Sequence, residues 1–197
     1  MDKWHRRFLE LAQYVATWSK DPRTKVGAVI VDDQRRIVGH GYNGFPRGVD
    51  DAAERYDTPE LKYEMVVHAE TNAVLNAGRS VAGCTVYVTF FPCPRCAAYL
   101  IQAGISQVIA LTSPSDDRYV EMRRIAEQML QEAGVAAHTV PLETLREKFP
   151  AMLPVHRSTV MAVVRKLGLL FRDYPADKET HALGNELKTL LEGGNGA

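Results

Sequence analysis

The sequence predicts an α/β fold in which helices pack on a partly parallel sheet. From residue 84 onward, strand-like segments alternate with helix-like segments, which is the order typical of strand–helix–strand units. The chain has 197 residues, of which 46% are hydrophobic and 24% are charged, an ordinary globular composition. A chain of this length can bury a core without disulfide bridges, and it allows one domain with an appendage or two small domains.

The N-terminal part is predicted to combine one helix with a strand pair. Apolar side chains recur at steps of three and four over residues 4–20, which predicts an amphipathic helix that stops before Pro22. Residues 26–31 and 37–42 flank a polar turn and predict a β-hairpin. Glycine, proline and aspartate are frequent over residues 43–63, so we expect a long loop there, and such loops are usually functional or disordered.

After the predicted loop, the sequence predicts a helix over residues 68–77, which Gly78 ends. The segments that follow are predicted as strands, helices and strands in turn, at 84–91, 94–103, 108–112, 120–132 and 135–140. We therefore expect a first domain at residues 1–142. Residues 143–197 repeat apolar side chains at helical spacing and predict a C-terminal helical extension, to which we can attach no chemistry.

Charge and cysteine content narrow the class of protein. The 24 basic and 24 acidic residues give a net charge of zero, which argues against a bulk nucleic-acid or membrane binder. The first residues lack the apolar region of a signal peptide, and no apolar run approaches the length of a membrane span. Three cysteines cannot pair completely. We therefore expect a reduced, cytoplasmic protein with a metal or redox site.

Three residues have the chemistry and spacing of a zinc site. Cys93 and Cys96 are three residues apart at a predicted helix start, where the positive end of the helix favours the thiolate form that binds metal. His68 supplies a neutral third ligand. Two thiolates and one imidazole balance the charge of Zn²⁺ and leave a fourth position open for water, whose pKa the ion lowers towards ~7.

Glu70 is the candidate proton carrier. It follows His68 by two residues, so on a helix the two side chains point in different directions and should not bind the ion in the same way. A carboxylate beside the ion but not bound to it is what proton transfer to a ring nitrogen and a departing amine requires. The combination of His-x-Glu with Pro-Cys-x-x-Cys is the recognised signature of zinc-dependent nucleobase deaminases.

A structural zinc site is the alternative interpretation of the same cysteines. It requires a fourth protein ligand, and the remaining cysteine is Cys84. If residues 84–91 form one strand, Cys84 lies on the order of 25 Å from Cys93 and cannot close the site. We therefore favour an open, catalytic site and expect Cys84 to be a small buried side chain.

From Met1 to Leu142 the chain resembles the deoxycytidylate (dCMP) deaminases of the cytidine-deaminase-like superfamily. The zinc motif is shared by many deaminases, whereas the Gly-Tyr-Asn-Gly-Phe-Pro-Arg-Gly block is much narrower. Four blocks carry the resemblance: Ser19-Lys20-Asp21-Pro22-Arg23-Thr24-Lys25-Val26-Gly27-Ala28, Gly41-Tyr42-Asn43-Gly44-Phe45-Pro46-Arg47-Gly48, His68-Ala69-Glu70-Thr71-Asn72-Ala73, and Gly83 through Pro92-Cys93-Pro94-Arg95-Cys96-Ala97.

The resemblance implies a three-layer fold with a five-stranded mixed sheet flanked by helices. It also implies one zinc ion held by His68, Cys93 and Cys96, with Glu70 as the proton shuttle in the hydrolysis of dCMP to dUMP and ammonia. The residues expected to bind substrate are Asn43, Thr24 and Ala69. Asn43 carries both a donor and an acceptor, although Asn-Gly is also a strong turn dipeptide and a turn residue remains the alternative.

The resemblance also implies effector nucleotides and further copies of the chain as partners. Members of the family are often hexamers that dCTP activates and dTTP inhibits, which predicts a homo-oligomer with a regulatory nucleotide site. The loop of Gly44 and Arg47 is a candidate for that site, because glycine backbone N–H groups and an arginine suit phosphate. Arg23 and Lys25 are further phosphate candidates. The alternative is that these residues form solvated turns.

Three other functions stay open at this stage. The first is deamination of dCTP or of a free nucleoside, since only the narrower motif points to a 5′-monophosphate. A polynucleotide-editing deaminase would need a basic stripe for phosphates, which the balanced charge argues against. A nucleotide-binding regulator with a structural zinc ion is the non-enzymatic alternative.

Overall fold

A computed structural model describes residues 1–112 and 119–146 of the chain. Strands and helices alternate over most of this part. The strands are β1 (Gly27–Val31), β2 (Ile37–Tyr42), β3 (Thr85–Val88), β4 (Gln107–Thr112) and β5 (Ala136–Pro141). The helices are α1 (Lys3–Ala16), α2 (Ala53–Asp57), α3 (Pro59–Met65), α4 (Ala69–Asn76), α5 (Pro94–Gln102), α6 (Val120–Glu132) and α7 (Glu143–Arg146).

The five strands form one mixed sheet in the order β2-β1-β3-β4-β5. β1 pairs antiparallel with both β2 and β3, whereas β3, β4 and β5 run parallel to one another. The parallel half corresponds to the strand–helix–strand units of the sequence, because parallel neighbours need a crossover helix between them. The predicted five-stranded mixed sheet is confirmed.

Apolar residues on alternate positions of the strands face two separate cores. In β1, Ala28 and Ile30 belong to a core shared with α4, α5 and α6, whereas Val29 and Val31 belong to a core shared with α1 and Leu145 of α7. This alternation follows from the two-residue period of a strand. The fold therefore has three layers, with helices on both faces of the sheet, as predicted.

α4 packs unusually close to the edge strand β2. Gly39 and Gly41 lie two residues apart on one face of β2, and a Cβ atom at Gly41 would lie only 2.5 Å from the carbonyl oxygen of Ala69. The side chains of Asn72 and Asn76 donate hydrogen bonds to carbonyl groups of β2, at 2.8 and 3.0 Å. This contact fixes the start of α4, where His68 and Glu70 lie.

Two of the expectations for the N-terminal half are wrong. α1 ends at Ala16 rather than residue 20, because the N–H groups of residues 17, 18 and 19 bond to carbonyls three residues back and close the last turn. Residues 43–63 are not one long loop, since they contain α2 and the first part of α3. These helices are held by polar contacts and by stacking of Phe45 on Tyr56 rather than by a regular apolar pattern.

Most other boundaries agree with the sequence within about two residues. β3 is the exception, since it spans Thr85–Val88 instead of residues 84–91. Pairing stops there because the chain turns at Thr89, whose N–H and hydroxyl both bond to Gly27 of β1.

The part of the predicted C-terminal extension from residue 147 onward lies outside the described residues. The described part of the chain contains no helix with the length and apolar character that crossing a bilayer requires.

We predict that Gly41→Ala destabilises the fold. The added methyl group would collide with the backbone of Ala69 and Ala73 and push α4 away from β2, and overpacking of this kind costs roughly 1–3 kcal/mol in unfolding free energy. Urea denaturation measures the effect. Gly44→Ala is the control, because its methyl group would meet only a ring carbon of Tyr42 at 3.9 Å. Equal stability of the two variants would contradict the close packing of α4 on β2.

Candidate metal centre and active site

Two helix starts bring the three predicted metal ligands together. His68 directly precedes α4, Cys93 directly precedes α5, and Cys96 lies in the first turn of α5. The Nδ1 atom of His68 lies 3.5 Å from Sγ of Cys93 and 3.3 Å from Sγ of Cys96. Both helices therefore direct their positive ends to the cluster, which stabilises thiolate there.

The donor set and its spacing fit a zinc ion. One imidazole and two thiol groups lie within 4.8 Å of one another. Tetrahedral zinc with ordinary bond lengths separates its ligand atoms by about 3.6 Å, close to the observed distances. Among residues 1–112 and 119–146, no fourth protein ligand joins this cluster. Cys84 is buried in the apolar core with α4, α5 and α6, as the sequence predicts.

The thiols of Cys93 and Cys96 differ in pKa. A hydrogen bond from the Cys96 thiol lowers the pKa of Cys93, and His68 adds to this effect. The same hydrogen bond raises the pKa of Cys96. His68 has a raised pKa because its ring bonds to the Cys93 sulfur. Metal binding replaces the proton between the sulfurs, since both ligands bind as thiolates.

Glu70 lies beside the cluster and is almost fully buried. It is the second residue of α4, and its side chain is 4% exposed. Burial raises the pKa of the Glu70 carboxyl, while the neighbouring His68 acts in the opposite direction. A carboxyl group with this environment takes up a proton more readily than one in water, which suits a group that transfers protons.

The cluster opens into a pocket of about 660 Å³. Its size lies within the range of small-molecule sites. Its wall combines aromatic and apolar side chains with a few polar groups, which is the usual composition of such sites. The lining residues are Thr24, Val26, Asn43, Lys62, Tyr63, Glu64, Val66, His68, Ala69, Glu70, Phe90, Phe91, Cys93, Pro94, Arg95, Tyr119 and Met122.

All three predicted substrate-binding residues line this pocket. Asn43 is buried and already uses its amide within the protein: its Oδ1 accepts a hydrogen bond from the Val26 N–H at 2.8 Å, and its Nδ2 donates to the Thr24 carbonyl at 2.9 Å. Asn43 thus connects the end of β2 to the start of β1. Ala69, the first residue of α4, is fully buried at the pocket. Their role in substrate binding stays a prediction.

The four predicted phosphate or effector ligands are not among the pocket-lining residues. Arg23 is exposed and lies 3.7 Å from a carboxylate oxygen of Asp57. Lys25 and Arg47 are also exposed, and Arg47 donates a hydrogen bond to Asn76 on α4. Gly44 pairs with Val67 in an isolated bridge. Gly44 and Arg47 are therefore not part of the pocket wall, although Asn43, which directly precedes Gly44, is.

Sequence reasoning missed several residues of the pocket. Lys62 is buried there and forms an ion pair with Asp21 at 2.6 Å. Phe90 and Tyr119 form an edge-to-face pair on the aromatic side of the pocket. A lysine inside a stretch predicted as a loop gives no sequence signal of burial. The pairing of Phe90 with Tyr119 depends on contact between distant parts of the chain.

We predict that Cys96→Ser abolishes stoichiometric zinc binding, because it removes one of three protein ligands. Cys84→Ser is the matched control, since Cys84 lies in the apolar core outside the cluster. Elemental analysis of both purified variants, with circular dichroism to verify folding, measures the difference. Zinc loss in folded Cys84→Ser, or full zinc retention in Cys96→Ser, would contradict this ligand set.

Known proteins share both the motifs and the fold. The family model of the cytidine and deoxycytidylate deaminase zinc-binding region matches residues 2–112. The chain is 45% identical over 148 residues to an uncharacterized deaminase of Aliivibrio fischeri, covering 74% of this chain and 99% of that protein. It is 43% identical over 124 residues to the deoxycytidylate deaminase of Homo sapiens, covering 58% of this chain and 68% of that protein.

A solved structure agrees with these relatives. The dCMP deaminase from the cyanophage S-TIM5, crystallised in complex with dCMP and dUMP, superposes with a TM-score of 0.55 at 26% identity. The match covers 71% of this chain and 99% of that chain. The family match spans the cluster, Glu70 and the four sequence blocks, so the chain belongs to the cytidine and deoxycytidylate deaminase zinc-binding family.

Proposed function

We propose that this protein is a zinc-dependent deaminase that hydrolyses dCMP to dUMP and ammonia. The observation that carries this proposal is the buried Glu70 carboxyl beside the cluster of His68, Cys93 and Cys96, with Glu70, His68 and Cys93 lining one pocket. The substrate rests on two further supports. The human relative is a deoxycytidylate deaminase, and the S-TIM5 enzyme was crystallised with dCMP and dUMP.

The reaction needs two proton transfers, and we assign both to Glu70. When bound, the zinc ion would supply the Lewis acidity that makes water nucleophilic at neutral pH. Water adds to C4 of cytosine, and the Glu70 carboxylate moves one proton from water to the ring N3. It then moves the remaining hydroxyl proton to the amino group, which leaves as ammonia. Burial of Glu70 keeps bulk water from exchanging these protons.

The pocket wall supports the proposed orientation of the substrate. Asn43 retains a second acceptor lone pair on Oδ1 after its bond from the Val26 N–H. Ala69 begins α4, and the N–H groups of a first helical turn have no partner inside the helix. We therefore assign Asn43, Thr24 and Ala69 to substrate binding, with neutral donors and acceptors that suit the sugar and base.

We also propose that the protein is a homo-oligomer, with a hexamer as the expected form, and that nucleotides regulate its activity. dCTP would activate and dTTP would inhibit. Gly44 and Arg47 are not pocket-lining residues, so we assign the effector site to the neighbourhood of the pocket rather than to the pocket itself. Arg23 and Lys25 are exposed and available to additional phosphate groups. All three cysteines are free thiols, in keeping with a cytoplasmic setting.

We predict that Glu70→Gln keeps the fold and the zinc ion but lowers kcat by roughly 10²–10⁴-fold, because the amide cannot carry a proton. Ammonia release from dCMP measures kcat, and elemental analysis measures zinc. Glu60→Gln on α3 is the control, since Glu60 is exposed and does not line the pocket. Near-normal turnover by Glu70→Gln would remove Glu70 from the mechanism.

The substrate assignment predicts that kcat/KM for dCMP exceeds that for deoxycytidine and for dCTP. Steady-state kinetics of the full chain with the three compounds measures the order. A preference for deoxycytidine would overturn the nucleotide assignment.

Repeating the dCMP series in the presence of dCTP or of dTTP tests regulation. We expect dCTP to lower the half-saturating concentration of dCMP and dTTP to raise it. Identical curves in all three conditions would contradict it.

A further inference from the structure

Asp21 does not line the pocket, yet it contacts three residues that do. Its Oδ1 accepts a hydrogen bond from the Thr24 N–H at 3.0 Å and from the N–H of Arg23 at 2.9 Å. Its Oδ2 lies 2.6 Å from Nζ of Lys62 and accepts a longer hydrogen bond from Nδ2 of Asn43, at 3.3 Å. One carboxylate therefore connects Thr24, Asn43 and Lys62, which belong to three separate segments.

The contacts of Asp21 are shielded from water. The side chains of Asp21 and Lys62 are 1% and 10% exposed. Burial acts to raise the pKa of Asp21, but the bonds from Lys62 and the two backbone N–H groups outweigh it and leave that pKa below its usual range. Removing one member of such a buried pair leaves the other charge without compensation, which is costly.

Three ion pairs connect the segment 20–23 to the segment 51–62, and they differ in burial. Lys20 pairs with Asp51 at 2.6 Å, and Arg23 pairs with Asp57 at 3.7 Å. Both cations are largely exposed, so these two ion pairs contribute little to the stability of the fold. The pair of Asp21 with Lys62 is the buried one, and of the three it alone includes a residue that lines the pocket.

The hydrogen bonds of Asn43 show why the position of Asp21 matters. Ser19 donates to the Asn43 carbonyl at 2.8 Å, and the Asn43 side chain donates to the Thr24 carbonyl and accepts from the Val26 N–H. The loop before β1 and the end of β2 are thus joined around Asn43. The bond to Asp21 then joins this unit to α3 through Lys62.

We propose that Asp21 is a positioning residue for substrate binding: its carboxylate sets Thr24, Asn43 and Lys62 in the geometry that receives the nucleotide. This inference rests on the proposed function. It separates two tasks in the active site. The metal cluster and Glu70 perform the chemistry, whereas Asp21, which is not a lining residue, positions other residues of the pocket wall without touching the substrate.

Asp21→Asn tests this proposal, because it keeps the size of the side chain and removes its charge. We expect KM for dCMP to rise on the order of 10-fold while kcat falls less than about threefold and zinc content is unchanged, as loss of hydrogen bonds to a charged group predicts. The dissociation constant of dUMP, measured by calorimetry without turnover, should rise by a similar factor. A lower melting temperature with unchanged KM and dUMP affinity would overturn the proposal.

Asp51→Asn is the matched control, since Asp51 joins the same two segments through Lys20 but contacts no residue of the pocket lining. We expect its KM to stay within about twofold of the parent value. An equal rise in KM for Asp51→Asn would show that general loosening of the segment, and not the Asp21 contacts, controls binding.

Lys62 provides a second and independent series. Lys62→Met should raise KM, whereas Lys62→Arg, which can keep the ion pair, should restore it to within about threefold. The double variant Asp21→Asn/Lys62→Met should be no worse than the poorer single variant, because both act through one contact. Additive effects would contradict the proposal, and the series remains informative if Asp21→Asn fails to fold.

The outcomes also separate this inference from the proposed function. If the parent protein turns over deoxycytidine instead of dCMP, the substrate assignment is wrong, and the same comparison of variants is made with deoxycytidine. Positioning by Asp21 then predicts the same split between KM and kcat. Its absence with the substrate that the parent protein prefers would overturn the inference whichever substrate that is.

Discussion

The convergence of two helix starts at one point is the constraint on which the rest of this structure depends. His68 directly precedes α4 and Cys93 directly precedes α5. The two residues can bind one ion only if both helices begin within a few ångströms of each other. Close packing on Gly39 and Gly41 sets the position of α4. α5 follows β3 and leads into β4 within the parallel half of the sheet, which sets the other helix.

The catalytic pocket has two sides that are held by different forces. The metal side is part of the apolar core, because Ala69, Cys96 and Ala97 are buried with the sheet and its helices. The other part of the pocket wall depends on polar contacts among the segment 19–26, Asn43 and Lys62. A polar side can differ among relatives with the same metal chemistry, since hydrogen bonds select substrates more sharply than apolar area does.

The sequence predicts the parts of this molecule that depend on local pattern. Strand β2 and helix α6 have the predicted bounds, because their spacing of apolar residues and flanking turns is regular. Residue chemistry and motif spacing predict that His68, Cys93 and Cys96 meet, and the structure brings their ligand atoms within 4.8 Å of one another. The helices within residues 43–63 were not predicted, because they are short and are held by contacts such as the stacking of Phe45 on Tyr56 rather than by an apolar repeat. The burial of Lys62 was not predicted, because it depends on Asp21, which is distant in the chain.

The central claim is that three protein ligands hold one zinc ion with a fourth position open to water. X-ray absorption spectroscopy at the zinc edge, on the full chain as purified, tests this most directly. We expect zinc to be bound by two sulfur atoms, one nitrogen and one further light atom from water, with about one zinc per chain. A first shell filled by four protein donors, or folded protein that binds no zinc, would contradict it.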